Sequence, residues 1–88
     1  MRARQHQAEL AHAARLSSLG EMAAGLAHEL NQPLAAIVSW ATGCLVRIEA
    51  GTADIGTLAR VVSEISDEAL RAAEVLRRIR EFARSGEM

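Results

Sequence analysis

The amino-acid sequence predicts an all-α protein, an antiparallel hairpin of two long helices that pairs with a second copy to form a four-helix bundle. Half of the 88 residues are apolar, but with one Phe, one Trp and no Tyr the hydrophobicity comes mainly from Ala and Leu, which favours helix over strand. Apolar residues recur at helical spacing over residues 15–49 and again over 55–84. The break between these segments is short, so the two helices are expected to be antiparallel neighbours.

The first helix, predicted over residues 15–49, has one apolar stripe, and His28 lies on the opposite side. At about 100° per residue, and with His28 at zero, the members of the stripe fall between roughly 160° and 240°. They are Leu16, Leu19, Ala23, Leu26, Leu30, Leu34, Ile37, Ala41, Cys44 and Ile48. A histidine that filled a core would lie within this stripe. We therefore expect the His28 imidazole on the outside of the bundle, where mostly small neighbours leave room for another protein.

Pro33 falls inside this helix. Proline has no N–H to donate to the carbonyl of Glu29, and its ring crowds that carbonyl. Because the apolar spacing continues past Pro33, we expect a bend rather than an end. The end is predicted at Gly51, with Thr52 or Asp54 as the N-cap of the next helix.

The second helix, predicted over residues 55–84, carries an unbroken heptad seam. Its positions alternate spacings of three and four: Ile55, Leu58, Val62, Ile65, Ala69, Ala72, Leu76, Ile79 and Ala83. Charged residues of mixed sign occupy the opposite face, where Asp67 with Arg71 and Glu74 with Arg78 have the spacing of i,i+4 ion pairs. Such charges are typical of a solvated face.

A single hairpin of this size leaves much of its apolar stripe in contact with water. Pairing two hairpins closes a four-helix bundle, so we expect a homodimer. Residues 15–84 form this domain. Residues 1–14 are polar and Ala-rich and are expected to be a lead-in helical segment or a disordered end, and residues 85–88 a frayed end or a linker.

Net charge, cysteine content and the length of apolar runs indicate which partners and which compartment to expect. A net charge of −1 gives no reason to expect nucleic acid or an anionic membrane. The single Cys44 cannot form an internal disulfide, which fits a reducing, cytoplasmic compartment. No uninterrupted apolar run reaches the ~18 residues of a membrane span, so no membrane contact is expected from this segment, whether or not a larger parent protein is membrane-anchored. His6 and His12 do not share a helical face, and no metal site is expected.

An exposed imidazole can act as nucleophile, general base or ligand. A zinc-protease motif needs a second His one turn after the first, and Gln32 takes that position. Acyl transfer needs a nearby Ser or Cys, and Cys44 lies about four turns away on the apolar stripe. What is left is an exposed nucleophile beside a carboxylate: Glu29 can orient the His28 ring, accept a proton and stabilise an imidazolium.

The stretch from Arg15 to Ile37, RLSSLGEMAAGLAHELNQPLAAI, resembles the H-box of sensor histidine kinases from bacterial two-component systems, in particular the subgroup with His-Glu-Leu-Asn-Gln-Pro-Leu. The second helix, through the sequence EFAR at residues 81–84, is similar to the rest of the dimerization and histidine phosphotransfer domain. The resemblance covers residues 15–84. It is specific, because His, acid and Pro occur at this spacing within one heptad helix that is followed by another.

The resemblance implies a role for each residue around His28. His28 would accept the γ-phosphate of ATP through one ring nitrogen, while Glu29 hydrogen-bonds the other nitrogen and acts as general base. The phosphoryl group would then pass to an aspartate in the receiver domain of a response regulator. Pro33 would be a hinge that lets the two parts of the helix move and switch activities. Gln32 would position a water for dephosphorylation, although many relatives have the shorter Thr or Asn there, and Asn31 would have a weaker hydrogen-bonding role.

The docking surface for the regulator is expected, by analogy with the family, on the His28 side of the first helix towards the loop. The candidate contacts are Ala35, Ser39, Thr42, Gly43 and Val46.

The family also needs a separate ATP-binding catalytic domain with Asn-rich and Gly-rich boxes, and nothing in this chain resembles them. The chain alone is therefore expected neither to bind ATP nor to phosphorylate itself. ATP and magnesium would act through that separate domain, with no cofactor held here. Two other interpretations are a helical dimerization module in which His28 is incidental and a stand-alone phosphotransfer protein. The outward phase of His28 and its neighbour Glu29 argue against the first, and the H-box sequence argues against the second.

Overall fold

Two long helices joined by a tight turn make up the part of the chain that the structure describes. The computed structural model describes the backbone of residues 2–86 and the side chains of residues 7–85. Helix α1 spans Arg2–Ala50 and helix α2 spans Ile55–Gly86, with no strand among the described residues. The two helices pack against each other, so the predicted all-α hairpin is confirmed.

The helices differ from the predicted ones mainly at their outer ends. Residues 2–14 are helical and continuous with the rest of α1. Helix α2 runs to Gly86, past Ser85, where the sequence places a frayed end; residues 1, 87 and 88 lie outside the described part. Pro33 does not interrupt α1, as the apolar spacing indicated. The bend expected there, and the division into lead-in, domain and end, stay predictions.

The turn begins with a glycine-dependent helix end. Gly51 has φ +74°, a left-handed conformation that side chains with a Cβ rarely adopt. The N–H of Gly51 donates to the carbonyl of Ile48 (3.1 Å) and the N–H of Thr52 to that of Arg47 (3.0 Å). This is the Schellman pair of hydrogen bonds, which satisfies carbonyls at the end of α1. The prediction that the helix ends at Gly51 is thereby confirmed.

Asp54 caps the start of α2. Its Oδ1 accepts a hydrogen bond from the backbone N–H of Thr57 (2.9 Å), and its Oδ2 accepts one from the Thr57 hydroxyl (2.7 Å). Of the two N-caps that the sequence allowed, Asp54 takes the role, while Thr52 completes the end of α1. The hydrogen bonds from Thr57, first from its backbone and then from its side chain, lower the pKa of the Asp54 carboxyl, because they stabilise its ionised form.

The face of α2 that packs on α1 follows a heptad pattern. Its buried and half-buried members are Leu58, Val61, Ile65, Glu68, Ala72, Val75, Ile79 and Phe82. Contact is tightest at Ala72 and Val75, which keep 7% and 6% of their accessible surface, and Pro33 on α1 is buried as well. The proline therefore lies in the best-packed region of the described hairpin.

Alternate positions of the predicted α2 seam do not face α1 and are exposed, as expected for a stripe that a single hairpin leaves partly in contact with water. These exposed members recur once per heptad: Ile55, Val62, Ala69, Leu76 and Ala83. Helix α1 has a matching exposed row between Pro33 and the turn, formed by Leu34, Val38, Ala41, Leu45 and Ile48. The sequence pattern merged two faces of each helix because a broad apolar surface gives one continuous periodicity. We call the two exposed rows together the open apolar side.

Both exposed rows lie on the same side of the hairpin. At about 100° per residue, each row is rotated roughly 80–100° from the stripe that faces the partner helix, in the same sense along both helices. Because the helices are antiparallel, equal rotations place both rows on one side. The hairpin measures 75 × 20 × 11 Å, so it is one layer thick, and none of the residues that the structure describes covers that side.

Helix α1 also meets a simple test for membrane spans. The segment Gln7–Ala50 is long and apolar enough to cross a membrane by length and composition. His28, Glu29 and Gln32 fall in the middle of it, where polar groups are costly to place in lipid. A wide packing face produces the same composition, so the expectation of no membrane contact stays a prediction.

The Asp54 cap gives a first prediction. Replacing Asp54 with Ala should lower the melting temperature by a few degrees, whereas Asp54→Ser, which keeps a capping oxygen, should lower it less. Because the folded-state pKa of Asp54 is lowered, its contribution is present above the ordinary carboxyl pKa and is lost as the pH falls through the lowered value. Thermal melts followed by circular dichroism over this acid range should therefore show the wild type losing its advantage over Asp54→Ala. An advantage that persists unchanged in strong acid would contradict the cap.

Candidate functional site

His28 lies on the solvent-exposed surface of α1. The stripe of α1 that packs on α2 consists of the buried and half-buried residues between positions 26 and 44, which are Leu26, Glu29, Leu30, Pro33, Ala36, Ile37 and Cys44. His28 is rotated about 140° from this stripe, and about 120° from the exposed row of α1 in the other direction. The imidazole therefore points away from both apolar surfaces. This exposure agrees with the orientation predicted from the sequence phase, and the position of His28 on the outside of a bundle stays a prediction.

Gln32 is the nearest polar neighbour of the His28 ring. The two Nε2 atoms, one of the Gln32 amide and one of the His28 imidazole, lie 3.4 Å apart, as expected for residues one helical turn apart. An amide nitrogen only donates, so in this orientation of the amide the ring Nε2 accepts and the ring proton is on Nδ1. Nε2 then carries the free electron pair that a nucleophile needs.

Glu29 turns towards α2 instead of towards His28. Its Oε2 lies 2.8 Å from Nη2 of Arg78, while neighbouring residues on a helix diverge by about 100° and do not face each other. The hydrogen bond between Glu29 and the His28 ring that the family resemblance implied is therefore not formed in this structure. Glu29 and Arg78 form the one ion pair between α1 and α2 among the described side chains.

The charges of α2 pair differently from the i,i+4 prediction. Arg71 pairs with Glu68 rather than with Asp67. Arg77, not Arg78, pairs with Glu74 (2.7 Å), and it also reaches Glu81 (2.6 Å). Spacings of three and four both place side chains side by side on a helix: Arg71 with Glu68 and Arg77 with Glu74 use three, and Arg77 with Glu81 uses four.

The pKa of the Glu74 carboxyl on α2 reflects these ion pairs. The hydrogen bond from Arg77 lowers the pKa of the Glu74 carboxyl, with a smaller contribution in the same direction from the charge of Arg78. Arg77 therefore serves partners on its own helix, and Arg78 is left to bridge to Glu29.

A groove of about 500 Å³ runs between the helices next to His28. We call it the upper groove. It is lined by Glu29, Gln32, Pro33, Ala36, Glu68, Arg71, Glu74, Val75 and Arg78. By helical phase, its polar lining lies on the side of the hairpin that carries His28 and opposite to the open apolar side. Asn31 is exposed and is not among the residues that line this groove.

A second groove, of about 360 Å³, lies at the turn end of the hairpin and is mostly apolar. We call it the lower groove. It is lined by Ser39, Trp40, Gly43, Cys44, Arg47, Ala53, Thr57, Leu58 and Val61. Two predicted docking residues, Ser39 and Gly43, line it, whereas Ala35, Thr42 and Val46 are exposed but outside the lining.

Sequence reasoning missed Trp40 and Arg78. Trp40 is 40% exposed and lines the lower groove. A short turn fixes the register of an antiparallel hairpin, so residues at similar distances from the turn face each other. Counting outwards from residues 51–54 in both directions places Glu29 level with Leu76, two residues from Arg78, so this count locates the region of α2 that faces Glu29 but not the pair itself. Among the described residues, no three metal-ligating side chains cluster together.

The chain belongs to a known family of signalling domains. Residues 18–87 match the family described as the His Kinase A (phospho-acceptor) domain. Because this match covers most of the chain, the protein is a phospho-acceptor domain of the sensor histidine kinases, a family for which dimerization and phosphorylation are typical.

Its curated relatives are two-component sensor proteins. The chain is 47% identical to the sensor protein FixL of Bradyrhizobium diazoefficiens, over 92% of this chain and 16% of that protein. It is 44% identical to the tetrathionate sensor histidine kinase TtrS of Salmonella typhimurium, over 89% of this chain and 13% of that protein. It is 43% identical to the C4-dicarboxylate transport sensor protein DctS of Rhodobacter capsulatus, over 93% and 12%.

The chain thus spans between about one eighth and one sixth of the length of these relatives. No solved structure matches it.

The contact between Gln32 and His28 predicts the tautomer of the neutral ring. Nitrogen-15 NMR at a pH where His28 is neutral should show the proton mainly on Nδ1, and Gln32→Ala should shift it towards Nε2, because the donor to Nε2 is lost. Asn31→Ala, which removes the neighbouring amide, should leave the tautomer unchanged. A wild-type ring protonated on Nε2 would contradict this assignment.

Proposed function

We propose that His28 is the residue that accepts the phosphoryl group, that the donor is ATP held by a separate catalytic domain, and that the acceptor is an aspartate of a response regulator. The observation that carries the proposal is the position of His28, exposed beside a carboxylate and opposite the open apolar side. A nucleophile placed there is accessible to both a nucleotide and a second protein while the apolar surfaces are occupied.

The chemistry needs one ring nitrogen with a free electron pair and a base for the proton on the other. Nε2 of His28 attacks the γ-phosphorus, the bond to the leaving ADP oxygen breaks, and the Nδ1 proton passes to Glu29. Phosphoryl transfer depends mainly on positioning and charge stabilisation, and magnesium and the phosphate contacts come from the catalytic domain. Glu29 must turn from Arg78 towards the ring to take the proton.

Gln32 is proposed to act in dephosphorylation. Its amide already lies at the His28 Nε2 (3.4 Å), so it is placed to hold a water near a phosphoryl group on that nitrogen. Asn31, which is exposed on the same helix, is proposed to have a secondary hydrogen-bonding role. Pro33, buried in the best-packed region, is proposed as the hinge.

Two copies are proposed to form a four-helix bundle through the open apolar side. Its large members are 40–82% exposed in the single hairpin, with Ile55 at 82%, Val38 at 64% and Val62 at 61%. Apolar rows on both helices, at heptad spacing and on one side, have the form of a bundle interface. His28 would then be on the outside of the assembled dimer.

The regulator is proposed to contact the His28 side from that residue towards the turn. The apolar lower groove, with Ser39, Trp40 and Gly43, offers a recess for a helix of the partner. Ala35, Thr42 and Val46 lie on α1 nearby and are exposed. The proposed compartment is the cytoplasm, where ATP and reducing conditions are available and Cys44 stays a free thiol.

A labelling experiment tests the proposal. The chain is mixed with the ATP-binding catalytic domain of a close relative and with ATP labelled at the γ-phosphate, and the label on the chain is measured. Wild type should acquire an acid-labile, base-stable label, because phosphoramidates hydrolyse in acid. His28→Gln should abolish it, and Glu29→Gln should slow it by about 10²–10⁴-fold, the range of a general base. His12→Gln is the matched control, because it removes another exposed imidazole of α1 and should label like wild type.

A receiver domain added afterwards should remove the label from the chain and appear labelled itself. Equal labelling of the wild type and His28→Gln would exclude His28 and favour a simple dimerization module, for which the open apolar side is the supporting observation. Labelling that no receiver domain can remove would contradict the relay.

The bundle gives a separate prediction. Sedimentation equilibrium at micromolar concentration should show twice the 9.4 kDa mass of the chain. Val62→Glu should yield monomers and lower the melting temperature, because it places a charge on the open apolar side. The control Ser63→Glu adds the same charge at an exposed neighbour that points away from that side, and it should stay dimeric. A compact wild-type monomer would rule out the bundle.

A further inference from the structure

The ion pair between Glu29 and Arg78 holds the carboxylate that is proposed to act as the base for His28. The two groups lie at ion-pair distance, 2.8 Å between Oε2 and Nη2, but they are not aligned as a hydrogen bond. Oε2 is buried and has no other polar partner in the described structure. The cation of Arg78 is therefore what compensates the charge of this oxygen.

The pair also fixes the direction of the Glu29 side chain. Glu29 lies along the wall of the upper groove and reaches across it to α2. The His28 ring has its hydrogen-bond contact with Gln32 instead. As long as Arg78 holds the carboxylate against α2, Glu29 is directed away from the proton that it has to accept.

Arg78 is suited to this task because its neighbours have other partners. Arg71 pairs with Glu68, and Arg77 pairs with both Glu74 and Glu81. Arg78 is the described arginine that bridges the two helices. A change in the position of α2 relative to α1 alters the distance between Glu29 and Arg78, whereas the pairs within α2 move as a unit.

We propose that Arg78 is a positioning residue that holds the Glu29 carboxylate on α2 and off the His28 ring, so that phosphoryl transfer to His28 requires this pair to open. This inference rests on the proposed function of His28 and Glu29. The packing of the two helices then controls whether Glu29 can act as a base. A shift of α2 that separates Glu29 from Arg78 allows Glu29 to turn towards the His28 ring. A shift that brings the pair closer holds Glu29 away from the ring.

The labelling assay with the added catalytic domain tests this through initial rates. Arg78→Gln should label about two- to fivefold faster than wild type, the range that loss of a half-exposed ion pair allows. Arg78→Lys, which keeps the cation, should label at a rate close to wild type. Arg77→Gln is the matched control: it removes the same charge at the next position, but its partners are within α2, so its rate should be unchanged.

A double-mutant cycle separates positioning from a general effect on structure. If Arg78 acts through Glu29, then Arg78→Gln should change nothing when Glu29 is already Gln. Arg78→Gln is also expected to raise the labelling rate measured at saturating concentrations of the catalytic domain. The concentration of that domain that gives half of the maximal rate should stay unchanged. Circular dichroism melts of each variant show whether the helices stay folded.

The outcomes separate this inference from the one on which it rests. Labelling of wild type that His28→Gln abolishes, together with an Arg78→Gln rate equal to or below wild type, would overturn the role of Arg78 and leave His28 in place. An effect of Arg78→Gln that persists in the Glu29→Gln background would overturn it too. Absence of label on wild type would refute both.

Discussion

The structure depends on the apolar surface of each helix being wider than the other helix can cover. Helix α2 presents one heptad row to α1, with Ala72 and Val75 at its centre, and a second row that stays exposed. Helix α1 does the same over its half next to the turn. Because the two uncovered rows fall on one side, the opposite side is left for polar chemistry, and His28 lies there. The same constraint thus accounts for the family's dimerization and for the accessibility of His28, the proposed acceptor residue.

The turn fixes the register of the two helices and thereby determines which residues surround His28. Gly51 ends α1 in a conformation that suits glycine, and Asp54 starts α2 with a cap on Thr57. Only residues 51–54 separate the helices, so the turn determines which residues of α1 and α2 face each other even far from it. That register brings Arg78 within reach of Glu29 and places Pro33 in the best-packed region beside Val75. A small rearrangement of the helices near Pro33 therefore acts directly on the surroundings of His28.

Much of this was predictable from sequence periodicity, and the failures have a common physical cause. The phase of His28, the helix end at Gly51 and the cap at Asp54 depend on local spacing and on backbone chemistry, which a single sequence records. The division of the apolar surface into two rows depends on where a second helix lies, and a one-dimensional pattern merges them. The pairing of Arg78 was assigned to Glu74 because they are neighbours on one helix, whereas the observed partner comes from the other helix. Trp40 was overlooked as a groove residue for the same reason, since the lower groove exists only once both helices are in place.

If the His28 imidazole faces outwards in the assembled protein, a chemical footprint should detect it. Modification of histidine by diethyl pyrocarbonate, quantified by mass spectrometry of the peptide that contains residue 28, reports the accessibility of that ring separately from His6 and His12. We expect His28 in the folded protein to react nearly as fast as it does in denaturant, because no described side chain covers it. Strong protection of His28 that is lost only on unfolding would place the ring in an interior and would exclude an outward-facing imidazole.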